Sequence, residues 1–305
     1  MNVKPRIQDV VWMAAGAGLL LIVMLAVLHF QKGQDPAAQL VSKSMRIQLV
    51  AQMQLGLTSA SEAEKSAVLA ITDEDSQKFA DQARAVTAEV ERHRAELAEL
   101  LAQTGMDGEK DLLTQFTADF ADFQRIDRDL LALAVKNTNL KASSLAFGSA
   151  AAAVKEMDAA LAQLTADDVK VMRLADNTRI AAWRLLALIP PHIAEESDQK
   201  MDEMESQMDK EDRQVRHSLD ELAAIPAMAG NPDLKTATAG YGRFSETRSQ
   251  ILKLSRENTN VRSLSISLNQ KRKVMVVCQA SLDALQQAIQ AEPVAGINYG
   301  NVRPR

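Results

Sequence analysis

The chain has 305 residues, of which only 4% are aromatic, 12 are glycine and 8 are proline. This scarcity of aromatic and turn-forming residues argues against a β fold, and the abundant Ala, Leu, Glu, Lys and Gln favour an all-α protein. The net charge of −5 gives no reason to expect a nucleic-acid partner, and the single cysteine, Cys278, excludes an intramolecular disulfide.

The N-terminal region contains a long apolar segment, residues 10–30, without a charged residue. As a helix it would span roughly 30 Å, the thickness of the hydrocarbon core. It is longer than the apolar part of a signal peptide and lacks an A-x-A cleavage site, so we predict an uncleaved transmembrane helix. Lys4 and Arg6 precede it. They predict a cytoplasmic N-terminus, residues 1–9, a single pass through the inner membrane, and the bulk of the chain in the periplasm.

Beyond residue 35, breaks are few and apolar residues recur at helical spacing. The clearest breaks are Pro190-Pro191, Pro226 and Asn231-Pro232. The pattern predicts an elongated antiparallel helical bundle. Its helices are expected near residues 37–70, 74–104, 109–136, 139–164, 168–188, 195–224, 232–257 and 259–290.

An internal repeat divides this region. Residues 130–164 align without a gap on residues 251–285, at an offset of 121, and the segment Asn137-Thr138-Asn139 falls on Asn258-Thr259-Asn260. Each copy has four helical segments, the number that closes one bundle. We therefore predict two sequential four-helix-bundle units, residues 37–165 and 166–291, and a flexible tail, residues 292–305.

Asn137 and Asn258 occupy equivalent positions between apolar heptad residues, so both are expected to face the core. A buried amide needs partners, because leaving it unpaired costs about 1–3 kcal/mol. Two interpretations remain open. Each Asn either fixes the helix register or caps a helix end, or it contributes to a small polar ligand pocket.

A second candidate ligand-binding set lies on the helix predicted near residues 168–188. Arg173, Asn177 and Arg184 are spaced by four and seven residues and share one helix face, with Trp183 beside them. Two guanidinium groups and an amide suit a carboxylate ligand. The alternative is a set of surface groups that pair with nearby acidic residues.

Other chemistry has little support in the sequence. The histidines lack the E-x-x-H or H-x-x-x-H spacing of a metal site on a bundle, and the Met201, Met204 and Met208 stripe is typical of core packing. There is no G-x-S-x-G segment, phosphate-binding loop or Cys/His pair in a catalytic pattern. We therefore predict a non-enzymatic protein with no catalytic residues, metal or cofactor.

Three segments, TDEDSQKF (72–79), LALAVKNTNLKASSL (131–145) and LSRENTNVRSLSISLNQKR (254–272), together with the single membrane helix, resemble the four-helix-bundle sensor domain of methyl-accepting chemotaxis receptors. The resemblance covers residues 37–165 and returns in the second copy. It implies a bundle outside the membrane that forms a homodimer and binds amino or organic acids between helices. The sequence shows neither a second membrane helix nor a long cytoplasmic coiled coil after the bundle, so no autonomous signalling output is expected.

These observations favour a membrane-anchored, periplasmic, chemoreceptor-like sensor module that binds a small molecule or a partner, such as a membrane receptor or kinase. Two alternatives remain open. One is a non-enzymatic envelope scaffold, and the other is a modulator of full-length chemoreceptors through mixed dimers.

Overall fold

The computed structural model describes residues 36–164 and 168–294, and every regular element in these ranges is helical. The predicted all-α class is therefore confirmed. The α-helices are α1 (Pro36–Leu69), α2 (Asp73–Thr104), α3 (Asp107–Ala134), α4 (Thr138–Leu145), α5 (Ala151–Ala162), α6 (Val169–Ala194), α7 (Asp198–Ala224), α8 (Pro232–Glu257), α9 (Thr259–Ile266) and α10 (Arg272–Ala291). Two π-helical segments, π1 (Ala146–Ala150) and π2 (Ser267–Lys271), join α4 to α5 and α9 to α10.

The observed helices follow the predicted ranges closely, except that π1 and π2 interrupt the ranges 139–164 and 259–290 and that α6 extends past its predicted end. The prolines predicted a helix end near residue 188, but α6 continues through Pro190 and Pro191 to Ala194. The last turn keeps its conformation because Ile189, His192 and Ile193 are buried there.

The chain forms two compact units. Unit 1 contains residues 36–57, 88–120 and 277–294 of the described chain. In unit 1 the buried Arg46 contacts Glu109, with 2.5 Å between Nη1 and Oε2, and also Glu292. Lys43 Nζ donates to the carbonyl oxygens of Gln290 at 2.7 Å and Glu292 at 2.6 Å. These bonds satisfy carbonyls at the C-terminal end of α10, which have no partner within the helix.

Unit 2 contains residues 58–87 and 121–276, less residues 165–167. Within it, a four-helix bundle consists of α4–π1–α5, α6, α7 and α8 around one apolar core. These helices come from both sides of residue 165, which separated the predicted units 37–165 and 166–291. A smaller apolar cluster combines residues of α1, α2 and α3 with Ile266 of α9. Each of these clusters in unit 2 therefore draws on both copies of the repeat.

The repeat takes the form of two broken helices that meet at their breaks. Asn137 and Asn258 adopt the left-handed conformation, with φ of 52° and 53°. Asparagine tolerates this region better than other non-glycine residues. Each Asn separates two α-helices, α3 from α4 and α8 from α9, as the predicted helix boundaries indicated. We call the two segments 137–139 and 258–260 the Asn-Thr-Asn clamp.

The hydrogen bonds of the Asn-Thr-Asn clamp are reciprocal. Thr138 N–H donates to Thr259 Oγ1 at 3.2 Å, and Thr259 N–H donates to Thr138 Oγ1 at 3.1 Å. In the same way, Asn139 N–H donates to Asn260 Oδ1 at 3.2 Å, and Asn260 N–H donates to Asn139 Oδ1 at 3.1 Å. Each segment thus supplies the side-chain acceptors that the first turn of the other helix lacks.

Both π-helical segments lie at equivalent positions of the repeat, because Ala146 and Ser267 are 121 residues apart. A charged layer accompanies π2. Lys271 is buried, donates to the buried Asp127 and lies 3.3 Å from the centre of the Phe123 ring. Glu64 is also fully buried near this pair. Two carboxyl groups, on α1 and α3, and the ammonium group of π2 are therefore buried close together in unit 2.

No helix within residues 36–164 and 168–294 combines the length and apolar character that a membrane span requires. The predicted cytoplasmic segment 1–9 and transmembrane helix 10–30 lie outside the described residues, as does most of the predicted tail, residues 295–305.

We expect Asn258→Ala to lower the free energy of unfolding by about 3–5 kcal/mol. It removes one of the two acceptors of Asn139 Nδ2, leaves the Glu195 carbonyl without its side-chain donor and places Ala in the left-handed region. Asn258→Gly loses the same hydrogen bonds without the backbone strain, so it should be less destabilising by about 1 kcal/mol. Chemical denaturation followed by circular dichroism measures both. The control is Asn177→Ala at an exposed helical position; equal losses for the Ala and Gly variants would contradict the strain argument.

We expect the stability contribution of Glu64 to depend on pH. Burial raises the pKa of Glu64 above its usual value, against the smaller lowering effects of Ser267 and Lys271; Asp127 raises it further and Lys65 lowers it. The folded state therefore favours the protonated group, and its contribution is lost as pH rises through the folded pKa. The melting temperature of Glu64→Gln relative to wild type should increase between pH 5 and pH 8. The exposed Glu62→Gln is the control, and a pH-independent difference for Glu64→Gln would refute the prediction.

Candidate ligand-binding groove

The structure places the predicted Asn pair in the core. Asn137 and Asn258 are buried, and their amide groups are engaged. Asn137 Nδ2 donates to Asp73 Oδ1 at 3.0 Å, and its Oδ1 accepts from Asn260 Nδ2 at 2.9 Å. Asn258 Nδ2 donates to the Glu195 carbonyl at 2.7 Å, and its Oδ1 accepts from Asn139 Nδ2 at 2.7 Å. These bonds fit the register-fixing interpretation.

Two of the three residues predicted on α6 line one groove. Asn177 and Arg184 lie in a groove of 440 Å³ between α6 and α7, which we call the α6/α7 groove. Its other lining residues are Ile180, Ala181, Lys210, Glu211 and Gln214. Arg173 is exposed and does not line it. The helix spacing therefore identified part of a site, to which α7 adds Lys210, Glu211 and Gln214.

The charged groups of the α6/α7 groove are only loosely paired. Arg184 Nη1 lies 3.7 Å from Glu211 Oε1, and the Arg184 side chain is 66% exposed. Gln214 Nε2 donates to Ser218 Oγ at 3.0 Å. The side chains of Lys210 and Asn177 are exposed and make no hydrogen bond or ion pair with the described residues. An ion pair at this distance whose arginine is mostly exposed contributes little to stability, so a ligand can replace it at small cost.

A second groove shares Ile180 and Arg184 with the first. It has a volume of 590 Å³ and is also lined by Asp158, Asp176, Arg179, Trp183 and Ala187. Its charges are paired more tightly. Arg179 Nε donates to Asp158 Oδ1 at 2.8 Å, and Trp183 Nε1 donates to the same oxygen at 3.2 Å. The Arg179 hydrogen bond, helped by Trp183, holds the pKa of Asp158 below its usual value despite burial. This groove therefore offers an indole surface with few free donors.

The C-terminal end of α6 is held by a buried polar network. His192 is fully buried, with Nδ1 2.8 Å from Ser255 Oγ and Nε2 2.9 Å from Glu205 Oε1. Arg256 Nε donates to the same Glu205 oxygen at 2.7 Å, and this bond is the main reason that the pKa of Glu205 is lowered. Ser255 has no exposed surface, so a substrate cannot reach its hydroxyl. The arrangement ties α6, α7 and α8 together.

The partners of α6 in the α6/α7 groove were missed by sequence reasoning. Lys210 and Gln214 are four residues apart, so the sequence shows that they share one face of α7. It does not show which α6 residues they face, because this depends on the register between two helices. Comparison with models of known protein families gave no match, and a search of curated proteins gave none either.

Proposed function

We propose that this protein is a membrane-anchored, periplasmic sensor module of the chemoreceptor type, and that it binds a small amino or organic acid in the α6/α7 groove. The observation that carries the proposal is the convergence of Arg184, Lys210, Asn177, Gln214 and Glu211 on one groove. Two cationic groups, two amides and one carboxylate suit a ligand with a carboxylate and further polar groups.

The groups of the groove can be assigned roles. Arg184 and Lys210 would hold the ligand carboxylate, and Arg184 can do so with two parallel hydrogen bonds. Glu211 would receive the ammonium group of an amino acid once Arg184 turns from Glu211 to the ligand. The amides of Asn177 and Gln214 both donate and accept, so they suit a polar side chain or a second carboxylate.

We expect one or more amino or organic acids to bind saturably to the full chain purified in detergent. Arg184→Gln should raise the dissociation constant about 10- to 100-fold, because a hydrogen bond to a charged group contributes about 1.5–3 kcal/mol. Isothermal titration measures this after a thermal-shift screen of amino acids, organic acids and nucleobases. The control is Arg173→Gln, an exposed α6 arginine outside the groove. A folded protein that binds none of these compounds would refute the proposal.

A further substitution distinguishes the two ligand classes. Glu211→Gln should weaken the binding of an amino acid, because its ammonium group loses a carboxylate partner. The same change should preserve or strengthen the binding of an organic acid, because Glu211 then no longer competes with the ligand carboxylate for Arg184. Trp183 in the neighbouring groove provides a fluorescence signal, and a Trp12→Phe background removes the other tryptophan.

We expect the chain to remain in the membrane fraction after a high-salt wash, and removal of residues 1–30 to release the remainder. Alkaline phosphatase fused to the C-terminus should be active, because the body of the protein would lie outside the cytoplasm. Green fluorescent protein fused to the same C-terminus serves as the opposite reporter, because its fluorescence indicates a cytoplasmic location. Strong fluorescence with an inactive phosphatase fusion would contradict this orientation.

A second candidate function is supported by exposed apolar side chains on α6. Val169, Met172, Ile180 and Trp183 are 73%, 47%, 51% and 39% exposed. Exposed apolar residues grouped on one helix mark surfaces that contact other proteins. These side chains could form the contact surface of a homodimer, of a mixed dimer with a receptor, or of an envelope scaffold with its partner. A stable crosslinked partner together with no ligand binding would favour the scaffold.

A further inference from the structure

The hydroxyl group of Ser255, on α8, faces two possible acceptors of one residue at the end of α6. Its Oγ lies 2.8 Å from Nδ1 of His192 and 3.1 Å from the backbone carbonyl oxygen of the same residue. Both side chains are fully buried. Because a hydroxyl group has one hydrogen, Ser255 donates either to the ring or to the carbonyl, and not to both.

Glu205 determines which ring nitrogen of His192 can lose its proton. The hydrogen bond from Arg256 Nε at 2.7 Å is the main reason that the pKa of Glu205 lies below its usual value, against the opposing effect of burial and with a further contribution from His192. Glu205 is therefore an ionised acceptor at neutral pH. Nε2 of His192, 2.9 Å from Glu205 Oε1, must keep its hydrogen in order to donate to it. Nδ1 is left as the nitrogen that gains or loses a proton.

The two protonation states of His192 place the Ser255 hydrogen differently. When the imidazole is charged, Nδ1–H donates to Ser255 Oγ, and the hydroxyl group donates to the His192 carbonyl. When the imidazole is neutral, Nδ1 is an acceptor and takes the hydroxyl hydrogen, so the carbonyl loses this donor. The other donor to this carbonyl, the Glu195 N–H at 3.4 Å, is long for a hydrogen bond. The last turn of α6 is therefore held more firmly when the imidazole is charged.

The charged groups around His192 come from α7 and α8. Glu205 contacts the ring, and Arg256 contacts both Glu205 and Asp202. A charged imidazole thus completes a cluster of two positive and two negative groups. The neighbouring ion pairs at the α6–α7 turn and the start of α7 are Glu195–Lys200 at 3.6 Å and Asp198–Arg262 at 3.8 Å. Loss of the proton leaves the cluster of four groups with an excess negative charge.

The carbonyl groups next to His192 are acceptors of the Asn-Thr-Asn clamp. Asn139 Nδ2, from α4, donates to the Ile193 carbonyl at 2.6 Å, and Asn258 Nδ2 donates to the Glu195 carbonyl at 2.7 Å. Both amides are neutral at all pH values of interest. A change in the last turn of α6 therefore acts directly on two hydrogen bonds of the clamp.

The other copy of the repeat packs the equivalent positions of α8 with apolar residues. At the offset of 121, Ser255 and Arg256 are equivalent to Ala134 and Val135. Ala134 is buried in the smaller apolar cluster of unit 2, and Val135 packs against that cluster. Apolar side chains therefore suffice at these positions of the repeat, and the polar network of the second copy points to a role beyond core packing.

We propose that His192 and Ser255 form a pH-sensitive switch at the end of α6. Protonation of Nδ1 turns the Ser255 hydroxyl to the His192 carbonyl and fastens the last turn of α6 to α8, and loss of the proton frees that carbonyl. Histidine is the residue whose charge ordinarily changes between pH 5 and pH 8. The proton is exchanged with solvent, which the network reaches through the side chains of Arg256 and Glu205, 30% and 32% exposed. The switch requires no ligand in the α6/α7 groove.

The first test is a nuclear magnetic resonance titration of the full chain in detergent, labelled with ¹⁵N-histidine and purified without a histidine tag. A background of His29→Gln, His93→Gln and His217→Gln leaves His192 as the only histidine. The ¹⁵N chemical shift distinguishes a ring nitrogen that carries a hydrogen from one that does not. Between pH 5 and pH 8, we expect Nε2 to keep its hydrogen and Nδ1 to change state. A ring that stays in one state, or that loses the hydrogen of Nε2, would overturn the proposal.

The second test measures amide hydrogen exchange in residues 192–198, corrected for the intrinsic effect of pH. Protection in the wild type should be about 2- to 10-fold higher at pH 5 than at pH 8, the factor that corresponds to one hydrogen bond. Ser255→Ala should remove this difference, whereas His217→Gln, at an exposed histidine of α7, should retain it. Equal protection at both pH values in the wild type would overturn the proposal whether or not Ser255→Ala folds. A difference that survives in folded Ser255→Ala would overturn it as well.

Discussion

A helix that breaks inside a bundle leaves backbone N–H groups that must find acceptors, and unit 2 depends on two such breaks satisfying each other. Asn137 and Asn258 turn the chain through the left-handed region, and the hydroxyl and amide oxygens of one segment accept from the backbone of the other. Because the partners are reciprocal, neither break is satisfied without the other. The Asn-Thr-Asn clamp therefore fixes the register of two antiparallel helical segments at one point.

The register set at the clamp also determines which residues of the two helices face each other farther along. The π-helical segments begin nine residues after each Asn, and Lys271, the last residue of π2, pairs with Asp127 on the opposite helix. Buried charges at such layers contribute little net stability, but a shift in register would leave them unpaired. The Lys271–Asp127 pair thus discriminates against misaligned packing more than it strengthens the native state.

The sequence predicted those features that local chemistry determines. Helix ranges, the helix breaks at Asn137 and Asn258, and the 121-residue repeat follow from spacing and residue type. The π-helical segments were not predicted, because π1 and π2 have no residue in common at equivalent positions that would signal them. The end of α6 was missed because burial of Ile189 and Ile193 outweighs the effect of two prolines. The contribution of Lys210 to the groove depends on helix pairing, which a single sequence does not encode locally.

The same long-range pairing gives α6 a direct connection from its groove to the Asn-Thr-Asn clamp. The carbonyl of Ile193 accepts from Asn139 Nδ2 at 2.6 Å, and that of Glu195, just beyond α6, accepts from Asn258 Nδ2. Any movement of α6 along its axis must stretch these two bonds or carry the Asn side chains with it. If a ligand draws Arg184 away from Glu211 and changes the spacing of α6 and α7, these two hydrogen bonds would transmit the displacement of α6 to the clamp. Coupling of this kind requires a contiguous element that both sites bias. Helix α6 runs without a break from the groove to the clamp, and a buried polar network holds its C-terminal end.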